Sequence, residues 1–303
     1  MTITKPAAAG VSILSNCILI ALKLAAAAIT GSIAILSEAL HSSIDLIASV
    51  IAFIAVRRAD EPADVEHPYG HEKMESVAAS IEGMLILVGA GIIVYESVRR
   101  LAEGGGEVES LGIGIAVIAF SALANAGVAT FLRRQARVHD SPALAGDAAH
   151  LGTDALTSVG VLGGLALVEV TGAVEIDSAV AIVVAGVIVY AGINLLRRST
   201  GVLVDEAPPP EEMDRIEELI ASARPPEMVG YHKLRGRVAG KRRYIEMHVQ
   251  FRTGTTLERA HVLTHTLRDA IESGMTDAEV LIHVEPETSR HDPGDSPSHY
   301  RAG

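Results

Sequence analysis

The chain begins with six apolar segments, each close to the roughly 20 residues that a helix needs to cross a bilayer. They cover residues 11–30, 33–56, 76–98, 111–132, 148–170 and 177–196. In lipid, every backbone N–H and C=O must be satisfied within the segment, so stretches of this kind are restricted to helices. The sequence therefore predicts an α-helical membrane protein in which six transmembrane helices form a domain over residues 1–203.

Basic residues around the segments predict how the chain is oriented. Eight follow the second, fourth and sixth segments, and two follow the third; the eight are Arg57, Arg58, Lys73, Arg133, Arg134, Arg137, Arg197 and Arg198, and the two are Arg99 and Arg100. By the positive-inside rule the more basic side is cytoplasmic, so both termini are predicted in the cytoplasm. The net charge of −12 argues against nucleic acid as a partner, because binding phosphates needs a basic surface.

After residue 203 the composition becomes that of a soluble domain. Residues 204–210 include three consecutive prolines, which cannot continue a helix, and are predicted to be a linker. Residues 211–222 and 256–273 have helical periodicity, whereas 228–237, 242–251 and 278–285 are typical of strands. This αββαβ order predicts a small cytoplasmic α+β domain over residues 211–287, the tail domain, with both helices on one face of an open sheet. Residues 288–303 are rich in Ser, Pro, Gly and Asp and are predicted to be a disordered tail.

Two of the apolar segments carry the same ionisable pattern, His-x-x-x-Asp. The pairs are His41 with Asp45 and His150 with Asp154. Residues at i and i+4 share one helix face, so each helix offers an imidazole beside a carboxylate. Such groups are costly in lipid unless they are paired or bind a cation, and interhelical hydrogen bonds would need only one polar group per helix. We therefore favour a four-ligand metal site, and its two nitrogens and two oxygens suit tetrahedral zinc better than magnesium or calcium.

Two further groups of candidate ligands lie outside the apolar segments. Asp64, His67 and His71 occur together in the predicted cytoplasmic loop after the second segment, a pattern equally typical of solvated loop residues. The candidates in the tail domain are spread over different predicted elements and are His232, His248, His261, His283 and Glu285. His261 and His265 share a helix face, and His283 and Glu285 share a strand face, so spacing allows these side chains to converge without requiring it.

Three motifs and the tail domain together point to a known family. The motifs are Gly31-Ser32-Ile33-Ala34 ahead of His41-x-x-x-Asp45, then His67-Pro-Tyr-Gly-His71-Glu-Lys-Met-Glu-Ser76, and then His150-x-x-x-Asp154. With these motifs the chain resembles the cation diffusion facilitators, and more closely their bacterial zinc-exporting members. The αββαβ tail is similar to the cytoplasmic metallochaperone-like domain of that family.

The resemblance implies a homodimeric, proton-coupled exporter in a bacterial plasma (inner) membrane. The family's four transport-site positions are occupied by His41, Asp45, His150 and Asp154, and Asp64, His67 and His71 fall on a loop site that some members use. The histidines at 232, 248, 261 and 283 fall on a binuclear site that helps to join the tail domains. In that site Glu285 stands where close relatives have the shorter Asp.

We therefore expect Zn2+/H+ antiport out of the cytoplasm by alternating access. The sequence has no Walker A loop, HExxH or Gly-x-Ser-x-Gly motif, so we expect a gradient-driven transporter rather than an enzyme. Zn2+ is expected as the transported substrate and as a structural or regulatory ion at the other sites. Export of Fe2+, Co2+, Cd2+ or Mn2+ is the alternative within the class, and a membrane-tethered metal sensor is the alternative outside it.

Overall fold

Within the described part of the chain, six long helices precede residue 204. They are α1 (Lys5–Thr30), α2 (Ile33–Ala59), α3 (Lys73–Glu103), α4 (Gly112–His139), α5 (Pro142–Thr171) and α6 (Glu175–Leu203) in the computed structural model, which describes residues 3–31, 33–103, 112–171, 175–288 and 301–302. Each contains a stretch that is long and apolar enough to cross a membrane. The predicted six-helix membrane architecture is therefore confirmed.

Several helices are longer than the apolar segments that predicted them. For example, α3 begins at Lys73 and continues to Glu103, whereas the predicted segment covered residues 76–98. Charged residues at the ends of such helices reach the membrane interface or water, so hydropathy does not mark where these helices end.

Small side chains fill much of the helix bundle. One buried cluster takes residues from each of the helices α1, α2, α3, α4 and α5. It is mainly alanine and contains Ala8, Ala9, Ala55, Val56, Ala78, Ala129, Leu132, Ala136, Ala143, Leu144, Ala148 and Leu151. A second cluster joins α3 to α6. These two helices approach closely at Gly83, where an added Cβ would lie 3.2 Å from the backbone nitrogen of Leu196. Because lipid supplies little hydrophobic driving force between helices, this close packing holds α3 in place.

The second unit of the chain, Gly201–Gly303, contains an α+β fold that begins after the end of α6. Its elements are α7 (Pro210–Ala223), β1 (Met228–Ala239), β2 (Arg242–Phe251), α8 (Leu257–Gly274), β3 (Ala278–Pro286) and β4 (Arg301–Ala302). The sheet order is β3-β2-β1-β4, with β1 antiparallel to β2 and β2 parallel to β3. The predicted αββαβ order is confirmed.

Both helices of the tail domain pack on the same face of the sheet. On β2 the core side chains alternate along the strand, as a half-buried strand requires, and are Ile245, Met247, Val249 and Phe251. On α8 they follow helical spacing and are Ala260, Leu263, Leu267 and Ile271. The side chain of Thr256 caps α8 by accepting a hydrogen bond from the backbone N–H of Arg259 at 3.3 Å.

The predicted disordered tail, residues 288–303, lies mostly outside the described residues. Its described residues Arg301–Ala302 form the two-residue strand β4, which pairs with Tyr231 and Gly230 of β1. Composition predicted disorder for this tail, but an exposed sheet edge can be extended by backbone hydrogen bonds alone.

Candidate metal centres

The membrane site, defined as His41, Asp45, His150 and Asp154, lies where α2 meets α5. The Nε2 atom of His150 is 3.2 Å from Asp45 Oδ1 and 3.8 Å from Asp154 Oδ2, and His41 Nε2 is 3.9 Å from Asp45 Oδ1. His41, Asp45 and Asp154 each offer a ligand atom within 4.8 Å of the others. The structure therefore brings all four predicted side chains together: His41, Asp45 and Asp154 are close enough to share one ion, and His150 lies within 4 Å of both carboxylates.

Burial differs among the four side chains. Asp45 and His150 are buried, with 6% and 8% of their side chains exposed, whereas His41 is 57% exposed. His150 Nδ1 and Asp154 Oδ2 are buried atoms without a hydrogen-bond partner. Buried polar atoms are normally hydrogen-bonded, so an unpartnered carboxylate oxygen beside an imidazole fits a place for a cation.

The membrane site opens into a cavity of about 410 Å³ that also reaches α1, α3, α4 and α6. Lys23 lines this cavity, and its Nζ donates to Glu38 Oε2 at 3.1 Å and to Ser42 Oγ at 2.8 Å. Two buried oxygens on α4, Ser121 Oγ and Asn125 Oδ1, also lack a hydrogen-bond partner and belong to residues that line the cavity. The cavity thus presents polar groups from several helices to whatever occupies it.

A layer of polar side chains lies on the side of the membrane site away from this cavity, toward the Pro142 end of α5. Asp147 Oδ1 accepts hydrogen bonds from Ser12 and Ser49 at 3.1 Å each, and Asn16 donates to Ser49 at 2.9 Å. Asp147 is not among the residues predicted from the sequence to bind metal. Its spacing could have placed it among them, because residues 147, 150 and 154 follow the i, i+3, i+7 pattern of one helix face.

The loop group, Asp64, His67 and His71, is also brought together. Asp64 Oδ2 lies 3.4 Å from His71 Nε2, Asp64 Oδ1 lies 3.5 Å from His67 Nδ1, and the two imidazole rings are 4.5 Å apart. Asp64 and His67 are exposed, whereas His71 is buried and its Nδ1 has no hydrogen-bond partner. These three side chains could hold a metal ion at the protein surface.

Local backbone geometry positions the loop group. Gly70 has φ 89°, a backbone conformation that residues with a Cβ rarely adopt. Asp64 accepts the backbone N–H groups of His67 at 2.6 Å and Glu66 at 2.9 Å. The hydrogen bond from the His67 N–H, followed by that from Glu66, lowers the pKa of Asp64 below its usual value, which favours the charged form that binds metal.

The tail group, His232, His248, His283 and Glu285, crosses three strands. His232 is the β1 partner of His248 on β2, and His248 is the β2 partner of His283 on β3, so the imidazoles form a row. Glu285 lies two residues beyond His283 and therefore on the same face. Its Oε2 is 3.0 Å from His232 Nε2, and its Oε1 is 2.6 Å from His248 Nδ1 and 3.7 Å from His283 Nε2.

The length of Glu285 and a bulge in β1 both help to form this group. Strands β1 and β3 are separated by β2, so their backbones are roughly 9.5 Å apart and only long side chains meet. A register shift follows His232, and Lys233 has φ 51°, as expected for a β-bulge that redirects side chains. Burial acts to raise the pKa of Glu285, but hydrogen bonds from His248 and His232 outweigh it and lower that pKa below its usual value.

His261 does not join the tail group within one chain. It lies exposed on α8, with its ring 4.4 Å from that of His265. Helix α8 packs on the sheet face that carries Met247 and Val249, whereas His248 lies between these residues and projects from the opposite face. The family resemblance grouped His261 with the strand histidines, and spacing within elements gives no information on which face of the sheet a helix covers.

Comparison with known proteins assigns a family to both parts of the chain. Residues 9–204 match the model of the cation efflux transmembrane domain, and residues 208–287 match that of the cation efflux protein cytoplasmic domain. An uncharacterized transporter of Synechocystis is 36% identical over 265 residues, which cover 88% of this chain and 85% of the relative. The cation-efflux pump FieF of Yersinia pestis is 33% identical over 259 residues, which cover 85% and 84%.

Solved structures include one similar to the tail domain. The metal-bound C-terminal domain of the CzcD transporter from Thermotoga maritima is 28% identical and matches 28% of this chain and 100% of that chain, with a TM-score of 0.26. The two family models together extend over both the helix bundle and the tail domain. The chain is therefore a multi-pass membrane protein that belongs to the cation diffusion facilitators, a family of bacterial and other cation efflux transporters rather than enzymes.

Proposed function

We propose that this protein exports divalent metal ions from the cytoplasm in exchange for protons, with Zn2+ as its principal substrate. The observation that carries the proposal is the membrane site, in which two imidazoles and two carboxylates converge from α2 and α5 between helices long enough to span a bilayer. This donor set suits tetrahedral Zn2+. Ionisable groups at such a depth are retained where they serve an ion path.

Protons and metal compete for the same donor atoms. A metal ion requires deprotonated carboxylates and neutral imidazoles, so protonation of His150, Asp154 or their neighbours releases it, and metal binding releases protons. Alternating access would present the membrane site to the cytoplasm and then to the more acidic side. The charge distribution of the loops supports cytoplasmic termini, and the bacterial relatives support the plasma (inner) membrane as the location.

The loop group and the tail group are proposed as further Zn2+ sites with structural or regulatory roles. The donor sets fit, since each combines imidazoles with one carboxylate held close by, and His71 Nδ1 is a buried atom without a partner. His261, on the opposite side of the sheet from His248, could reach a tail group only in a second copy. We therefore propose a homodimer whose tail domains share metal ions.

Flux through reconstituted proteoliposomes tests the proposed function. Zn2+ should move toward the acidic compartment, and Asp45→Asn should stop this movement because it removes the carboxylate closest to His150. Asp140→Asn is the matched control, since Asp140 lies exposed in the turn before α5 with φ 50°, a conformation that asparagine also adopts. The same assay with Fe2+, Co2+, Cd2+ and Mn2+ ranks the alternative substrates. If no metal moved, or if the rate of metal flux did not depend on the pH gradient, the proposal of proton-coupled export would be wrong. A protein that moved no metal would be better explained as a sensor that binds metal at the tail group.

A further inference from the structure

A second acidic site lies in the membrane domain, away from the four residues of the membrane site. Glu82 on α3 is completely buried, with 0% of its surface exposed, and neither of its carboxylate oxygens has a hydrogen-bond partner. Among the described residues none forms an ion pair with it. A buried carboxylate without donors or counter-charge is unusual, because burial of an isolated charge is very costly.

The surroundings of Glu82 contain another carboxylate. A Cβ added to Gly146 of α5 would lie 2.8 Å from Glu82 Oε2, so the carboxylate lies directly against the backbone beside Asp147. Asp147, the next residue along α5, is also 0% exposed. Its Oδ1 accepts from Ser12 and Ser49, but its Oδ2 is buried without a partner.

The charged groups on neighbouring elements do not neutralise this pair. On α3 the preceding acid is Glu75, two helical turns away, and it accepts from Lys5 of α1 at 2.8 Å. On α5 the next ionisable group is His150, which faces Asp45 of α2. On α6 the backbone of Leu196 packs against Gly83, the residue after Glu82.

We propose that Glu82 and Asp147 together bind a proton, and that this proton is one of those exchanged against the metal ion. Two buried carboxylates on facing helices cannot both carry a charge at low cost, and one proton held by the pair removes one of the two charges. Asp147 precedes His150 by three residues and shares its helix face, so a change in charge at this pair is felt at the membrane site. The exchange step rests on the proposed proton-coupled export, whereas the bound proton does not.

Infrared spectroscopy tests the bound proton directly. At neutral pH the parent protein should show the C=O stretching band of a protonated carboxylic acid, and Glu82→Gln should lose it. Glutamine has the shape of a protonated glutamate, so this variant is expected to fold. The matched control is Glu96→Gln on the same helix, because Glu96 accepts a hydrogen bond from Arg99 at 2.9 Å. A band that persists in Glu82→Gln, or is absent from the parent, would overturn the proposal.

Proton counting in proteoliposomes tests the exchange. The ratio of protons to metal ions moved should fall in Glu82→Gln and stay at the parental value in Glu96→Gln. An unchanged ratio in Glu82→Gln, together with loss of the infrared band, would show that the proton is structural and would refute its exchange. A parent that moves metal without protons would instead refute the proposed function, and the infrared result would still stand on its own.

Discussion

Replacing Asp154 with asparagine should separate metal binding at the membrane site from folding. Asparagine keeps the shape of the side chain but removes its charge and makes it a poorer ligand. Asp154 Oδ2 is buried and has no hydrogen-bond partner, so the change breaks no hydrogen bond at that atom and removes a charge that is costly to bury. We therefore expect the metal-free variant to unfold at the parental temperature or above it.

The magnitude of the effect follows from the loss of one ligand in four. Changing even an outer partner of a ligand costs 10- to 100-fold in affinity, so loss of the ligand itself should weaken binding by about 100-fold or more. At a free Zn2+ concentration about 100 times the parent's Kd, binding stabilises the parent by about 2.7 kcal/mol. The same concentration equals the Kd of the variant, and its stabilisation falls to about 0.4 kcal/mol.

Thermal unfolding of the purified protein, in buffered Zn2+ and in chelator, measures this difference. The loop group and the tail group are unchanged in the variant, so the difference between variant and parent isolates the membrane site. Asp140→Asn is again the control and should shift with Zn2+ as the parent does. If Asp154→Asn showed the parental Zn2+-dependent shift, Asp154 would not be a ligand; if the metal-free variant were markedly less stable, the argument from its unpartnered oxygen would be wrong.

Three other outcomes are expected. Zn2+ should shorten the distance between labels on paired tail domains, since 18 acidic against 13 basic residues from residue 205 onward make apposed copies repel, and His248→Ala should abolish the change. His41→Asp should raise the Cd2+/Zn2+ flux ratio, because a larger ion accepts more oxygen ligands; a parental ratio would show that residue 41 does not set selectivity. A hydrogen bond from Arg259 lowers the pKa of Glu227, so the Glu227–Arg259 pair should stabilise the tail domain above the usual glutamate pKa and cease to do so as pH falls through the lowered value. Glu227→Gln should therefore make the stability of the tail domain depend less on pH over that range. An unchanged profile of stability against pH would contradict this.

The tail domain was predictable from its sequence almost to the residue because its elements are marked both by the period of their apolar residues and by capping or turn residues at their ends. Strand β2 covers Arg242–Phe251, as its alternating pattern indicated, and α8 follows the capping residue Thr256. Strand β1 continues to Ala239, two residues beyond the prediction, because the hairpin turn is tight enough for Ala239 to pair with Arg242. These elements have polar and apolar faces, and the period of that pattern identifies each of them.

The candidate sites were less predictable because ligands converge from different elements. The membrane site was recognisable since each helix carries its own His-x-x-x-Asp pair. Asp147 was missed, because hydropathy identifies a span without indicating which side chains of two spans meet. Spacing could not decide whether His261 meets the strand histidines within one chain, since only the packing of α8 on the sheet determines its side.

The row of imidazoles across the tail sheet would become a reversible cross-link between strands once it held the proposed metal ion. His232 and Glu285 are 53 residues apart in the chain. Closing a loop of that length in an unfolded chain costs about 3.5 kcal/mol, and the folded sheet has already met this cost. An ion bound between β1 and β3 would therefore bind the folded domain far more tightly than the unfolded chain, and folding and metal would stabilise each other. A higher concentration of free metal in the cytoplasm would then make separation of these strands less frequent. Unfolding and proteolysis of the domain would become slower as a result.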